Sequence, residues 1–227
     1  MRVRTLLGLA LLLAASVAFA QETVRIPVPG GTSALQADLY GKGNKYVILA
    51  HGGRFGKESW RNQAQTLVNS GFAALAIRFR GDSQNADGSP GSTGSPVENA
   101  ADVLAVLSYL QGKGATSLAA VGASFGGDAL GDADARSPAG TISRIVLLGS
   151  AGGSSPERLS GHKLFIVARD DRNASGLRLP EIKLHFERAP EPKKLILVNG
   201  SAHAQFLFET DQGSYVMDQI LRFLLEN

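Results

Sequence analysis

Gly122-Ala-Ser124-Phe-Gly126 sets a serine between two glycines in a G-x-S-x-G pattern. That spacing presents a nucleophilic hydroxyl on a sharp turn between a strand and a helix. A chain with 27 glycines produces such short matches by chance, so context decides. Here an apolar run at 117–121 precedes the motif and a helical pattern at 128–134 follows it, and Gly122, Gly126 and Gly127 are small enough for a tight turn packed closely on its neighbours. A serine hydroxyl is a weak nucleophile near neutral pH and needs a base within hydrogen-bond reach. Of the four histidines, His185 falls inside a helical pattern, His162 precedes a strand at the wrong end, and His51 opens a His51-Gly-Gly motif. His203 lies in the loop after the last strand pattern and before the final helix, which makes it the best base. An acid must orient that imidazole, and chain order puts it between Ser124 and His203. Asp170 and Asp171, at the end of the apolar run 164–168, are the two candidates.

These residues work together only if a scaffold brings the ends of separate strands to one edge. Apolar runs at 46–50, 72–79, 117–121, 145–148, 164–168 and 195–198 show little alternation, as in parallel strands covered on both faces. Helical patterns at 58–69, 97–110, 128–134, 179–188 and 215–225 lie between and after them. Strand and helix in alternation predict a doubly wound, mostly parallel α/β sheet with helices on both faces, whose ligands sit at the carboxyl ends of the strands. Segments 24–28 and 34–40 alternate better and predict an antiparallel hairpin at one edge. Residues 81–96, dense in Gly, Ser, Asp, Asn and Pro, predict a long loop.

The order Ser124, then Asp170 or Asp171, then His203, with His51-Gly-Gly53 upstream, resembles the α/β-hydrolase superfamily over nearly the whole chain beyond residue 20. The resemblance implies the α/β-hydrolase fold. It favours Asp171 over Asp170, because Ala168-Arg-Asp-Asp171 resembles a Gly-x-x-Asp pattern found after this strand. It also implies an oxyanion hole made by the backbone N–H groups of Phe125 and Gly53, and casts His51 as a structural brace rather than a base. Arg78 and Arg80 resemble a loop after the next strand whose arginines are more often structural than substrate-binding. Only 149–161 separates the sixth and seventh strands of this pattern, too little for a helical cap, so the expected relatives are the small, open, dienelactone-hydrolase-like members. Cutinase-like members are similarly open, and the dienelactone hydrolases proper use cysteine, of which this chain has none.

Composition narrows the remaining classes. Arg2 and Arg4, an apolar stretch at 5–19 and the small residues Ala18 and Ala20 predict a signal peptide over 1–20. That stretch is shorter than the ~20 residues of a comfortable bilayer span. Its loss would leave a near-neutral chain at 21–227, with no basic patch to suggest nucleic acid. One domain, destined for the periplasm or secretion without a stable membrane anchor, is expected. With no cysteine, disulfides and thiolate chemistry are excluded. The histidines fall on separate elements, so neither a metal nor an organic cofactor is expected. The implied activity is serine hydrolysis of a small ester-like substrate through an acyl-enzyme. A thioesterase or peptidase on the same scaffold, or a catalytically silent binding protein, are the alternatives.

Overall fold

The computed structural model describes residues 21–30, 34–84, 90–92 and 94–226; the leader expected at 1–20 lies outside them. Among the described residues, twelve strands and five α-helices follow in order: β1 (Gln21–Ile26), β2 (Leu35–Tyr40), β3 (Lys45–Ala50), α1 (Arg61–Asn69), β4 (Ala73–Arg78), β5 (Asp82–Gln84), β6 (Pro90–Ser92), α2 (Pro96–Gly112), β7 (Ser117–Ala123), α3 (Phe125–Asp134), β8 (Arg144–Leu148), β9 (His162–Ala168), β10 (Arg172–Asn173), β11 (Gly176–Leu177), α4 (Leu179–Arg188), β12 (Lys193–Val198) and α5 (Gly213–Leu225).

Eight strands form one sheet in the order β1-β2-β4-β3-β7-β8-β9-β12. The six from β4 to β12 run parallel, while β1 and β2 form the antiparallel edge hairpin that their alternation predicts. After the hairpin the chain enters the parallel set at β3, steps to β4 on one side and then to β7 and onward to β12 on the other, so helices fall on both faces. One face packs α2, α3 and α4 through Val103, Val106, Leu130, Ala133 and Ile182. The other packs α1 and α5 through Leu67, Val68, Val216 and Ile220. In β7 the residues divide between the faces in turn, with Leu118 and Ala120 in the first core and Ala119 and Val121 in the second. Both faces are apolar and buried, which is why this strand reads as a continuous apolar run.

Local chemistry sets the helix starts. Ser95 caps α2, accepting from the Glu98 N–H while the Glu98 carboxylate accepts from the Ser95 N–H, and Pro96 stands at the first helical position. Removing such a cap costs about 1 kcal/mol. The helix expected over 58–69 divides into a short 3-10 turn, Lys57–Trp60, and α1. Lys57 and Trp60 are buried there, and Lys57 Nζ donates to Asp38 Oδ2 at 2.7 Å. That tie fixes the turn against β2. Trp60 is fully buried and meets the Phe208 ring edge-on, 6.0 Å between centroids. The expected loop 81–96 carries the small hairpin β5–β6, and 149–161 holds a single 3-10 turn, Pro156–Arg158.

Candidate active site

β7 and α3 meet at Ser124, whose backbone adopts φ 52° and ψ −127°, a strained combination for a residue with a side chain. The turn is held from several sides. The Ser124 N–H donates to Leu148 O at 2.9 Å, and Ser124 O accepts from Gly127 and Asp128 N–H at 2.9 and 3.1 Å. The flanking glycines are required by close approach: a Cβ on Gly122 would lie 2.5 Å from the Gly127 Cα, and one on Gly126 would collide with the carbonyls of Ala50 and His51. Helix α3 therefore starts immediately after the serine, earlier than the pattern at 128–134 indicates.

His203 Nε2 lies 2.8 Å from Ser124 Oγ, and His203 Nδ1 lies 2.8 Å from Asp171 Oδ2. With a carboxylate facing Nδ1, that nitrogen carries the proton, and Nε2 is left to accept the serine O–H. Asp171 is fully buried, whereas Asp170 beside it is exposed. The bend at the end of β9, with the Asp171 N–H donating to Ala168 O, turns the second carboxylate inward and leaves the first in solvent. Arg178 was not anticipated from the sequence. The β10–β11 hairpin brings it back over Asp171, its Nε 3.5 Å from Oδ1 and its backbone N–H donating to Asp171 O at 2.9 Å.

The loop after β3 lies alongside the serine. A Cβ on Gly52 would sit 3.5 Å from Ser124 Cβ, and one on Gly53 would sit 3.8 Å from the Phe125 ring. Phe125 is the first residue of α3, so its N–H has no partner in the preceding turn of helix. The Gly52 N–H is already used, donating to Gln205 Oε1 at 2.8 Å. Buried His51 has both ring nitrogens against acceptors, Gly52 O at 3.0 Å and Asp82 Oδ2 at 2.9 Å, and its ring meets Phe79 and Phe125 edge-on. It has no nitrogen to spare for a serine. Arg80 is likewise occupied, donating from its backbone N–H and its Nε to the buried Asp102. His162 sits at the amino end of β9 beside Arg144, and His185 lies within α4; neither joins the cluster.

Beside Phe125 and Gly53 a cavity of about 310 Å³ opens, lined also by Pro96, Asn99, Asp128 and Asp132. No three His, Asp or Glu side chains among the described residues converge as metal ligands would. No described helix is long and apolar enough to cross a membrane.

Solved structures that share this chain path include a dienelactone hydrolase from Anabaena variabilis, 19% identical with a TM-score of 0.70, the match covering 91% of this chain and 97% of that one. A carboxylesterase from Bacillus subtilis is 16% identical, TM-score 0.67, covering 92% and 93% of the two chains. An esterase from Exiguobacterium antarcticum is 12% identical, TM-score 0.72, covering 90% and 100%. No protein-family profile and no curated protein sequence matches the chain significantly. The sheet order, the crossovers and these likenesses define the α/β-hydrolase fold, and Ser124, His203 and Asp171 stand together at the carboxyl edge of its sheet.

Proposed function

We propose that this protein is an exported serine hydrolase that cleaves carboxylic esters. The observation that carries the proposal is the hydrogen-bonded chain Ser124–His203–Asp171, two contacts of 2.8 Å ending on a buried carboxylate. Ser124 Oγ attacks the ester carbonyl as His203 Nε2 takes its proton, and Asp171 holds the imidazole in the required tautomer and balances its charge. The N–H groups of Phe125 and Gly53 stabilise the oxyanion. As the tetrahedral intermediate collapses, the C–O bond to the alcohol breaks, and the proton on His203 passes to the leaving oxygen. A water then attacks the acyl-serine with His203 again as base, releasing the acid and restoring Ser124.

The esterase and dienelactone hydrolase likenesses support ester substrates, and the short connection 149–161 supports an open site. Export is supported by the basic and apolar composition of 1–20. The test treats purified 21–227 with a fluorescent phosphonate and a panel of acyl esters, thioesters and aminoacyl substrates. Labelling that maps to Ser124, disappears in Ser124→Ala and accompanies ester turnover is the expected result. Faster turnover of thioesters or peptides reassigns the bond preference, and neither labelling nor turnover establishes the silent binding protein.

A further inference from the structure

The cavity beside Ser124 carries two acidic side chains at its far wall. Asp128 and Asp132 are one turn apart on α3, and both line it. Each carboxylate spends one oxygen on holding the loop after β8. Asp128 Oδ1 accepts from Ser150 Oγ at 2.8 Å and from the N–H groups of Gly152 and Gly153, and Asp132 Oδ1 accepts from the N–H and Oγ of Ser154 at 2.8 and 2.9 Å. Neither carboxylate has a salt-bridge partner among the described residues. Arg136 and Arg158 line a neighbouring cavity of about 230 Å³ that shares Asp132 and Pro96. An independent signal comes from α2. Asn99, only 5% exposed, lines the same cavity; its Nδ2 donates to Gly94 O at 3.4 Å, while its Oδ1 accepts no hydrogen bond among the described residues. A buried acceptor left without a donor costs about 1–3 kcal/mol, so it marks a place where a donor is missing.

Three acceptor side chains, none of them in an ion pair among the described residues, therefore surround a space that opens at Gly53 and Phe125, next to the position proposed for the scissile carbonyl. We propose that this cavity is a subsite for an organic ammonium group, and that the preferred substrates are esters carrying a positive charge a few bonds from the carbonyl. An ammonium meets the carboxylates electrostatically and, where it bears N–H groups, also supplies the donor that Asn99 lacks. An anionic ester would meet like charge there.

The inference rests on the serine-hydrolase reading, and paired esters separate the two. The probes are acetylcholine and 3,3-dimethylbutyl acetate, alike in shape and differing in charge, with a matched 4-nitrophenyl pair bearing an amino or a methyl group at the end of the acyl chain. The readout is the ratio of kcat/KM, cationic over neutral. A charge-assisted contact predicts a ratio of about ten or more for at least one pair, identifying whether the ammonium belongs to the alcohol or the acyl side. Asp132→Asn, which keeps an acceptor for Ser154, should bring that ratio close to one, and Asp132→Lys should invert it. Hydrolysis of both members of each pair at equal rates overturns the subsite and leaves the serine hydrolase standing. No hydrolysis of any of the four, with no phosphonate labelling, overturns both.

Discussion

The Gln205 side chain accepts the Gly52 N–H at 2.8 Å, which ties the loop carrying His203 to the loop carrying Gly53. Gln205 is buried two residues beyond the histidine, and its Nε2 donates to Ser59 Oγ at 2.8 Å. One amide thus ties the segment of the proposed general base, His203, to one proposed wall of the oxyanion hole. Gln205→Leu leaves the Gly52 N–H buried without an acceptor, at a cost of about 1–3 kcal/mol, and loosens that wall. The expected loss is about ten- to hundred-fold in kcat with KM changed less, below the ~10²–10³ of a deleted oxyanion donor. Steady-state kinetics check it; unchanged kcat would separate Gln205 from catalysis.

Asp171→Asn should lower kcat by up to about 10⁴, because an amide at that position favours the wrong imidazole tautomer. Asp170→Asn, on an exposed side chain, should stay within about threefold of wild type, as surface changes generally do. Equal losses in the two variants would place the orienting acid elsewhere.

Ser124→Gly should be inactive yet more stable than Ser124→Ala. Alanine inherits the strain of φ 52°, which costs about 1–3 kcal/mol, while glycine relieves it at an unfolded-state cost of about 0.4–1 kcal/mol. A net difference of about 1 kcal/mol in urea unfolding is expected. A less stable glycine variant contradicts the claim that the turn stores strain.

Burial pushes the Asp128 carboxyl above its ordinary value, against the pull of its bonds from Ser150, Gly152 and Gly153. Below the unfolded value of about 3.9 the group is protonated in both states. As pH rises toward the elevated folded value, the unfolded chain loses its proton first, so stability falls. The stability of Asp128→Asn relative to wild type should therefore rise with pH across that interval in denaturation series. A flat or falling difference would refute the assignment.

The mature protein recovered from the cell envelope or medium should begin at Gln21, or its pyroglutamate, by intact-mass measurement. A mature form that keeps Met1 would rule out the cleaved leader.

Ser124 and His203 were readable because each sits at a topological landmark, the turn after β7 and the loop after β12, and chain order ranks them without any packing detail. In the sequence only a resemblance favours Asp171 over its neighbour, since two adjacent carboxylates look alike until the bend after β9 buries one of them. Arg178 and Gln205 gave no signal because their partners lie across the fold or beyond a hairpin too short to show periodicity. Asp128 and Asp132 read as ordinary charges on a helix. Only the packing of α3 between α2 and the loop after β8 turns that face into a cavity wall. The small hairpin β5–β6 was hidden for a related reason, being made from Gly-, Ser- and Pro-rich residues that read as loop.

Trp60 is the chain's single tryptophan, and it touches Phe208 in the same 3-10 turn, Ala204–Glu209, that carries Gln205. An indole so placed is a built-in optical gauge. Its emission reports on the packing of the histidine-bearing segment against the turn before α1, so loosening of that segment in a Gln205 variant can be followed in real time by fluorescence, with no dye attached.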